Sequence, residues 1–137
     1  MKKKVLFICK NNSGRSQMAE GLLKHYYGEY YEVYSAGSIP SSINPLTIEV
    51  MSEIGIDISD HESKNLKKFQ GMGFHYIITL CSPEEISCPV FPDGKILIHY
   101  QFTDPRVKGT TPEKLILLRT VRDEIKEWII KEFKKRE

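Results

Sequence analysis

The sequence predicts a single α/β domain with a parallel four-stranded sheet. Three observations support this fold class: predicted strands alternate with predicted helices, the first apolar run has the continuous pattern of a strand buried on both faces, and 137 residues is the usual size of one domain. There is no internal repeat, low-complexity segment or linker. We therefore predict one three-layer domain over residues 1–137, in which helices flank the sheet.

The first half of the chain supplies two strands and two helices. Apolar runs and helical periodicity predict the first three of these elements, over residues 4–9, 16–27 and 32–36. A second helix is predicted over residues 45–54, because Asn44 is a favourable cap, Pro45 suits the first helical position and Gly55 follows as a terminator.

The second half supplies the other two strands and a long final helix. The strands are predicted over residues 75–80 and 95–100. The helix is predicted over residues 113–133, begun by Thr111 and Pro112. Its apolar residues recur at helical spacing, so that one face covers the sheet: Leu118, Val121, Ile125, Trp128 and Ile129.

Composition and charge exclude several classes of protein. The chain is 40% hydrophobic and 28% charged, with a formal net charge of +2, which is typical of a soluble globular protein and gives little reason to expect a nucleic-acid partner. The apolar runs are too short to cross a membrane, and no signal-like segment follows the basic N-terminus. We expect a cytoplasmic protein. Three cysteines without a secretion signal favour thiol chemistry over a structural disulfide framework.

The segment between the first strand and the first helix has the composition of an oxyanion-binding loop. We call residues 9–16 the oxyanion loop; it reads Cys9, Lys10, Asn11, Asn12, Ser13, Gly14, Arg15, Ser16. Backbone N–H groups of such a turn form an anion nest, and the dipole of the following helix adds positive potential. Gly14 permits an unusual backbone shape, and Arg15 can grip two oxygens of a tetrahedral anion.

The same positive field favours the thiolate form of Cys9, and the Ser16 hydroxyl can donate a hydrogen bond to its sulfur. Cys9 is therefore the predicted nucleophile. The alternative is a buried strand-end cysteine beside a surface arginine. A nucleotide-binding loop of the Walker type is excluded, because its glycine and lysine pattern is missing.

Two features follow the later strands at the same predicted edge of the sheet. Asp104, followed by Pro105, can supply a general acid there, although Asp-Pro is also a common turn pair. Cys81 and Cys88 flank a short segment after the third strand. A zinc site is disfavoured by their spacing and by the lack of further ligands, and two unrelated buried cysteines are the alternative to a role in thiol chemistry.

Together these motifs resemble the low-molecular-weight protein tyrosine phosphatase superfamily, and within it the thioredoxin-coupled arsenate reductases. The resemblance rests on the Cys-x5-Arg-Ser loop, a Ser-Ala-Gly turn at residues 35–37, the cysteine pair and the Asp-Pro, and it covers essentially the full chain. It implies that Asn12 braces the loop and that Asp104 is the general acid. It also implies a three-cysteine relay in which Cys9 attacks arsenate, Cys81 and Cys88 carry the resulting disulfide, and thioredoxin reduces it.

Two departures from that family concern the oxyanion loop and its surroundings. Many members carry a further cysteine at the position of Gly14. The relay does not need that cysteine. Some members bind potassium beside the loop through residues matching Asn12, Glu20 and Ser35 and an aspartate, but Lys64 stands in the matching region here. We therefore predict no required metal and no cofactor other than thioredoxin as external reductant.

Three functions are considered. The first is a monomeric arsenate reductase, whose loop can also take phosphate or sulfate. The second is a phosphatase acting on phosphotyrosine or a small phosphoester, which would have no need of Cys81 and Cys88. The third is a phosphocarrier protein of sugar transport, a class that lacks the loop arginine and the acid that this chain has.

Overall fold

The computed structural model describes residues 2–81, 89, 91, 94–105 and 108–134. Within these ranges it contains four strands and three α-helices. In chain order they are β1 (Lys3–Cys9), α1 (Arg15–Tyr27), β2 (Tyr31–Gly37), α2 (Pro45–Ser52), β3 (Phe74–Thr79), β4 (Gly94–His99) and α3 (Thr111–Lys134). Every predicted element is present, with ends within two residues of the prediction.

Two local features differ from the prediction. A 3₁₀ helix, Leu66–Phe69, was not predicted; the Asn65 side chain caps it by accepting a hydrogen bond from the Lys67 N–H. The capping residue of α3 is Thr110 rather than Thr111. The Thr110 hydroxyl accepts from the Glu113 N–H at 3.3 Å, and the Glu113 carboxylate accepts from the Thr110 N–H at 3.4 Å, which is a capping box.

The four strands form one parallel sheet in the order β2-β1-β3-β4. β1 and β3 are the central pair, as their apolar sequences require. Because the strands are parallel, their carboxyl ends meet at one edge: Cys9 pairs with Gly37 of β2, and Ile8 pairs with Thr79 of β3. The loops after β1 and β3 therefore leave the sheet side by side.

Apolar clusters cover both faces of the sheet. On one face, β1 and β3 pack against all three α-helices, through side chains that include Phe7, Met18, Val50, Ile125 and Phe133. On the other face, Leu6, Ile8 and Ile77 pack against the 3₁₀ helix and the buried Phe91. The predicted fold class, a four-stranded parallel sheet flanked by helices, is confirmed. None of the helices in the described ranges has the length and apolar character needed to cross a membrane.

Candidate active site

The outer side of the oxyanion loop is held by the segment that follows β2. We call residues 39–44 the strap. Its N–H groups donate to loop carbonyl oxygens: Ile39 to Lys10 (2.9 Å), Ser41 to Asn11 (3.1 Å) and Asn44 to Ser13 (3.2 Å). The N–H and C=O groups of one trans peptide point in opposite directions, so the N–H groups of residues 11, 12 and 14 face the loop interior. This is the arrangement of N–H groups that an anion nest requires.

Asn12 braces the loop from within. It is fully buried and has a φ of 52°, in the left-handed region that asparagine tolerates better than most residues. Its side-chain amide nitrogen donates to the hydroxyls of Ser16 (2.7 Å) and Ser35 (2.9 Å). Its side-chain oxygen accepts from the Lys64 N–H (2.9 Å) and from Gln17 (3.0 Å). All of its hydrogen-bonding capacity is therefore used.

These bonds fix the direction of the hydrogen bond between Ser16 and Cys9. The Ser16 hydroxyl oxygen already accepts from Asn12, so its own proton is available for the Cys9 sulfur, which lies 2.9 Å away. Ser35 is arranged in the same way and donates to the Glu20 carboxylate at 2.5 Å. Cys9 is a buried free thiol. The arrangement gives it a hydroxyl donor that suits a thiolate.

Arg15 joins the oxyanion loop to the segment after β4. Its guanidinium is buried, with Nη2 at 3.8 Å from the Asp104 carboxylate and Nη1 donating to the Phe102 carbonyl oxygen at 3.3 Å. A cavity of about 10 Å³ lies between the two segments. It is lined by Cys9, Asn11, Ser13, Gly14, Arg15, Asp104 and Pro105. Most of the predicted anion-site residues thus line one small cavity, whereas Lys10, Asn12 and Ser16 support it from outside its lining.

A buried carboxylate lies behind the loop. Glu20 accepts from Ser35, pairs with Lys24 at 2.6 Å, and has the Lys64 ammonium at 4.0 Å and His61 Nε2 at 3.8 Å. Burial lowers the pKa of Lys64, and the Glu20 charge opposes that shift. The Lys64 ammonium therefore lies beside Glu20, where the family resemblance would put potassium. The described ranges hold no group of three or more His, Cys, Asp or Glu side chains that could bind a metal ion.

His61 extends this network to the loop. Its Nδ1 lies 3.0 Å from the Gln17 side-chain oxygen, and Gln17 in turn donates to the carbonyl and side-chain oxygens of Asn12. Burial lowers the pKa of His61, with Glu20 opposing the shift. A neutral ring with its proton on Nδ1 fits the acceptor role of the Gln17 oxygen.

The sheet places the second predicted cysteine at the same edge as Cys9. The Leu80 N–H donates to the Ile8 carbonyl at 2.8 Å, which extends the β1–β3 ladder to the residue before Cys81. Cys81 is fully buried and disulfide-bonded. Cys9 and Cys81 therefore follow neighbouring strands at one edge. The predicted third member, Cys88, lies outside the described residues.

Sequence reasoning missed the strap, Gln17 and Ser63, whose hydroxyl donates to the Asn11 carbonyl at 2.9 Å. Gln17 follows the loop directly, so its position next to a buried polar turn was a signal that could have been used. The strap and Ser63 carry no such signal, because their function depends on backbone contacts with residues far away in the chain.

Comparison with known proteins gives the family. The sequence pattern of the family described as low molecular weight phosphotyrosine protein phosphatase matches residues 4–135. An arsenate reductase of Halalkalibacterium halodurans is 42% identical over 125 residues, which cover 90% of both chains. A structure described as an arsenate reductase in the phosphate binding state has a TM-score of 0.83 at 35% identity, over 97% of this chain and 98% of that one.

A thioredoxin-dependent arsenate reductase of Corynebacterium glutamicum has a TM-score of 0.75 at 33% identity; the match covers 98% of this chain and 61% of that chain. Each likeness extends over nine tenths or more of the present chain, and the family pattern at residues 4–135 includes both the oxyanion loop and Cys81. The chain therefore belongs to the low molecular weight phosphotyrosine protein phosphatase family, and its relatives place it among the arsenate reductases of that family.

Proposed function

We propose that the chain reduces arsenate to arsenite by a three-cysteine relay through Cys9, Cys81 and Cys88. The observation that carries the proposal is the placement of two cysteines at the ends of neighbouring strands. Cys9 is a free thiol in an anion nest, and Cys81 at the same sheet edge is disulfide-bonded. A phosphatase uses the nest but has no use for that disulfide.

The first step is an attack of the Cys9 thiolate on arsenic. The nest N–H groups and Arg15 hold the arsenate oxygens, and Ser16 supports the thiolate until it reacts. Asp104 protonates the departing oxygen, which leaves as water. The product is a Cys9–arsenic adduct in which arsenic is still pentavalent.

The second step moves two electrons to arsenic. The Cys81 thiolate attacks the Cys9 sulfur, the sulfur–arsenic bond breaks, and its electron pair goes to arsenic, which leaves as arsenite. The two sulfurs form a Cys9–Cys81 disulfide. Cys88 then attacks Cys81 and releases the Cys9 thiolate. These steps leave Cys9 as a free thiol and Cys81 in a disulfide, as in the structure.

An external dithiol must reduce the remaining disulfide. We propose thioredoxin, because a structural neighbour of this chain is described as thioredoxin-dependent. We also propose that the protein works as a monomer in the cytoplasm, where the thioredoxin system keeps thiols reduced.

Arsenite formation with thioredoxin, thioredoxin reductase and NADPH tests the relay. We expect steady turnover by the native protein, none by Cys9→Ser, and at most one equivalent of arsenite from Cys81→Ser or Cys88→Ser. Hydrolysis of an aryl phosphate is the matched control, since the nest and Asp104 are intact in the last two variants. Full arsenate turnover by both of them would refute the relay and favour the phosphatase function.

We further propose that no metal ion is required, because the Lys64 ammonium supplies a positive charge beside Glu20 in addition to that of Lys24. Potassium added at constant ionic strength should leave the turnover of the native protein unchanged. Lys64→Ala removes that charge and should make turnover respond to potassium. Stimulation of the native protein by potassium would contradict the proposal.

A further inference from the structure

The segment that carries Asp104 is anchored both to the sheet and to α3. We call residues 100–105 the acid loop. The Tyr100 N–H donates to the Thr79 carbonyl at 3.0 Å and the Phe102 N–H to the Leu80 carbonyl at 3.1 Å, so the loop continues the β3–β4 ladder beyond the strands. The ring of Trp128, from α3, then contacts the rings of Tyr100 and Phe102, with centroids 5.0 and 6.0 Å apart. We call these three residues the aromatic stack.

Phe102 connects the aromatic stack to the oxyanion loop. Its side chain is buried against Tyr100 and Trp128, while its carbonyl oxygen accepts from Arg15 Nη1 at 3.3 Å. A guanidinium group is planar and rigid, so a bond at Nη1 restricts the direction in which the Nε–Nη2 edge can point. A guanidinium binds two oxygens of an anion through one of its edges, so its orientation matters. The position of one carbonyl therefore influences how Arg15 meets the substrate.

We propose that Trp128 is a positioning residue for the oxyanion site, acting through Phe102 on Arg15 and on Asp104 two residues later. The proposal rests on the proposed function of this site. The indole contacts Phe102 nearly edge to face, at 79°, an arrangement that restricts the phenyl ring in two directions. An aliphatic side chain at this position cannot make that contact. Arg15 and Asp104 would then lose the support that α3 gives them.

The arrangement has a spectroscopic consequence, because Trp128 is the only tryptophan in the chain. Excitation at a wavelength that tyrosine does not absorb gives emission from Trp128 alone. That emission reports on the ring of Phe102, the residue whose carbonyl oxygen accepts from Arg15. An anion that binds Arg15 should therefore change this emission, although the indole does not line the anion cavity. A tryptophan that is only part of the core would give no such signal.

The first experiment titrates the native protein with inorganic phosphate while recording tryptophan emission. Equilibrium dialysis of phosphate is run in parallel. We expect a saturable change in emission with the same midpoint as the dialysis curve. Binding in dialysis without a change in emission would refute the positioning role and leave the proposed function intact. An absence of binding in both measurements would instead refute the anion site itself.

The second experiment compares Trp128→Leu with Trp128→Phe. We expect the leucine variant to weaken phosphate binding and raise the KM for arsenate by about tenfold, the ratio expected when a charged hydrogen bond is weakened by about 1.4 kcal/mol. The phenylalanine variant should recover most of that loss, because it retains an aromatic partner for Phe102. Equal losses in both variants would contradict a role for the ring contact.

Tyr27→Leu is the matched control for stability. Tyr27 is an aromatic residue that also packs on the apolar cluster of α3, and its hydroxyl donates to the Ile130 carbonyl at 3.3 Å. If Trp128→Leu and Tyr27→Leu lower the midpoint of urea unfolding equally, only the former should weaken phosphate binding. Should Trp128→Leu fail to fold, Tyr100→Leu provides the test, since that side chain is 45% exposed. Unchanged phosphate affinity in Trp128→Leu, or in Tyr100→Leu if the former does not fold, would overturn the proposal.

Discussion

Asn12 shows how a single residue organises the oxyanion loop. Four side-chain hydrogen bonds leave the amide one orientation, and that orientation leaves the Ser16 proton for Cys9. The positive φ at this position is an independent requirement on the backbone. An amide side chain meets both requirements, which explains why the loop needs asparagine here rather than a residue of similar size.

Asn12→Asp should separate the two requirements. Aspartate has nearly the same shape and tolerates the same φ, but it cannot donate to Ser16 and Ser35 and adds a buried negative charge beside Cys9. We expect kcat/KM for arsenate to fall by about 10²-fold, as for a reacting group misplaced by about 1 Å, because the Ser16 hydroxyl and the loop lose their brace. Asn12→Gly is the control that keeps the backbone and removes the side chain. Native kcat/KM in the aspartate variant would refute this account of the network.

His61 should make folding stability dependent on pH. Its pKa is lowered in the folded protein by burial, despite the opposing charge of Glu20, and Lys24, Asp60 and Lys64 also face it. The unfolded chain then binds more protons, so this contribution is fully present above the unfolded pKa, near 6.5, and is lost as pH falls toward the folded value.

Urea unfolding at about pH 7.5 and about pH 5.5, on either side of that value, measures the effect. His61→Gln keeps a donor for the Gln17 oxygen and removes the titration, so this variant should lose less stability on acidification than the native protein. The carboxylates titrate in both proteins, so the difference between the two losses of stability on acidification is due to His61. Equal losses in the two proteins would contradict a neutral His61.

At the scale of elements, the end of β2 is the support on which the oxyanion loop rests. Gly37 pairs with Cys9 across the sheet, and its N–H donates to the Lys64 carbonyl at 2.9 Å. A Cβ at this position would lie 2.5 Å from the Lys10 carbonyl oxygen and 2.9 Å from the Asn12 nitrogen. Both atoms belong to the backbone of the loop. The glycine of the Ser-Ala-Gly turn is therefore required by close approach and not by its own dihedral angles.

Gly37→Ala should displace the loop, because backbone atoms cannot move aside as a flexible side chain can. We expect kcat/KM to fall by about 10²-fold, as for a reacting group misplaced by about 1 Å. Gly55→Ala is the matched control: Gly55 has a φ of 79°, and nothing lies within 4 Å of the methyl group that alanine would add. It should cost about 1–2 kcal/mol of stability without changing kcat/KM. Equal kinetic effects of the two changes would contradict this assignment.

Features formed by residues close together in the chain were predictable from the sequence, whereas features formed by residues far apart in the chain were not. The oxyanion loop was predictable because its residues are contiguous and lie between a strand and a helix that have strong signals. The capping by Asn44 was predictable for the same reason and is confirmed. The strap and the contact of Trp128 with Phe102 join residues far apart in the chain. Such contacts depend on how the helices pack on the sheet, which local propensity does not specify.

At the scale of the whole molecule, the burial of Cys81 limits which sulfur a partner protein can reach. Cys81 has no exposed surface, although it takes part in a disulfide. A thiolate must approach the sulfur that it attacks along the disulfide axis. We therefore expect thioredoxin to attack the other sulfur of the pair, which the proposed relay assigns to Cys88.

A thioredoxin variant without its second cysteine should trap this intermediate as a mixed disulfide. Mass spectrometry of the digested complex should locate the link at Cys88. The same reaction after unfolding in urea serves as the control, because both sulfurs are then accessible and the preference should disappear. A link at Cys81 in the folded protein would show that Cys81 becomes accessible before the disulfide is reduced.

The strap also limits what the enzyme can select. It holds the loop through backbone hydrogen bonds within the protein, and backbone N–H donors suit any tetrahedral oxyanion of similar size and charge. Phosphate has the same shape and charge as arsenate, so these donors give little basis for separating the two by affinity. Selection must then come after binding, because only arsenic can accept the electron pair of the sulfur–arsenic bond and leave in a lower oxidation state. Phosphate in the cell would act as a competitor for the site and as a stabiliser of the fold.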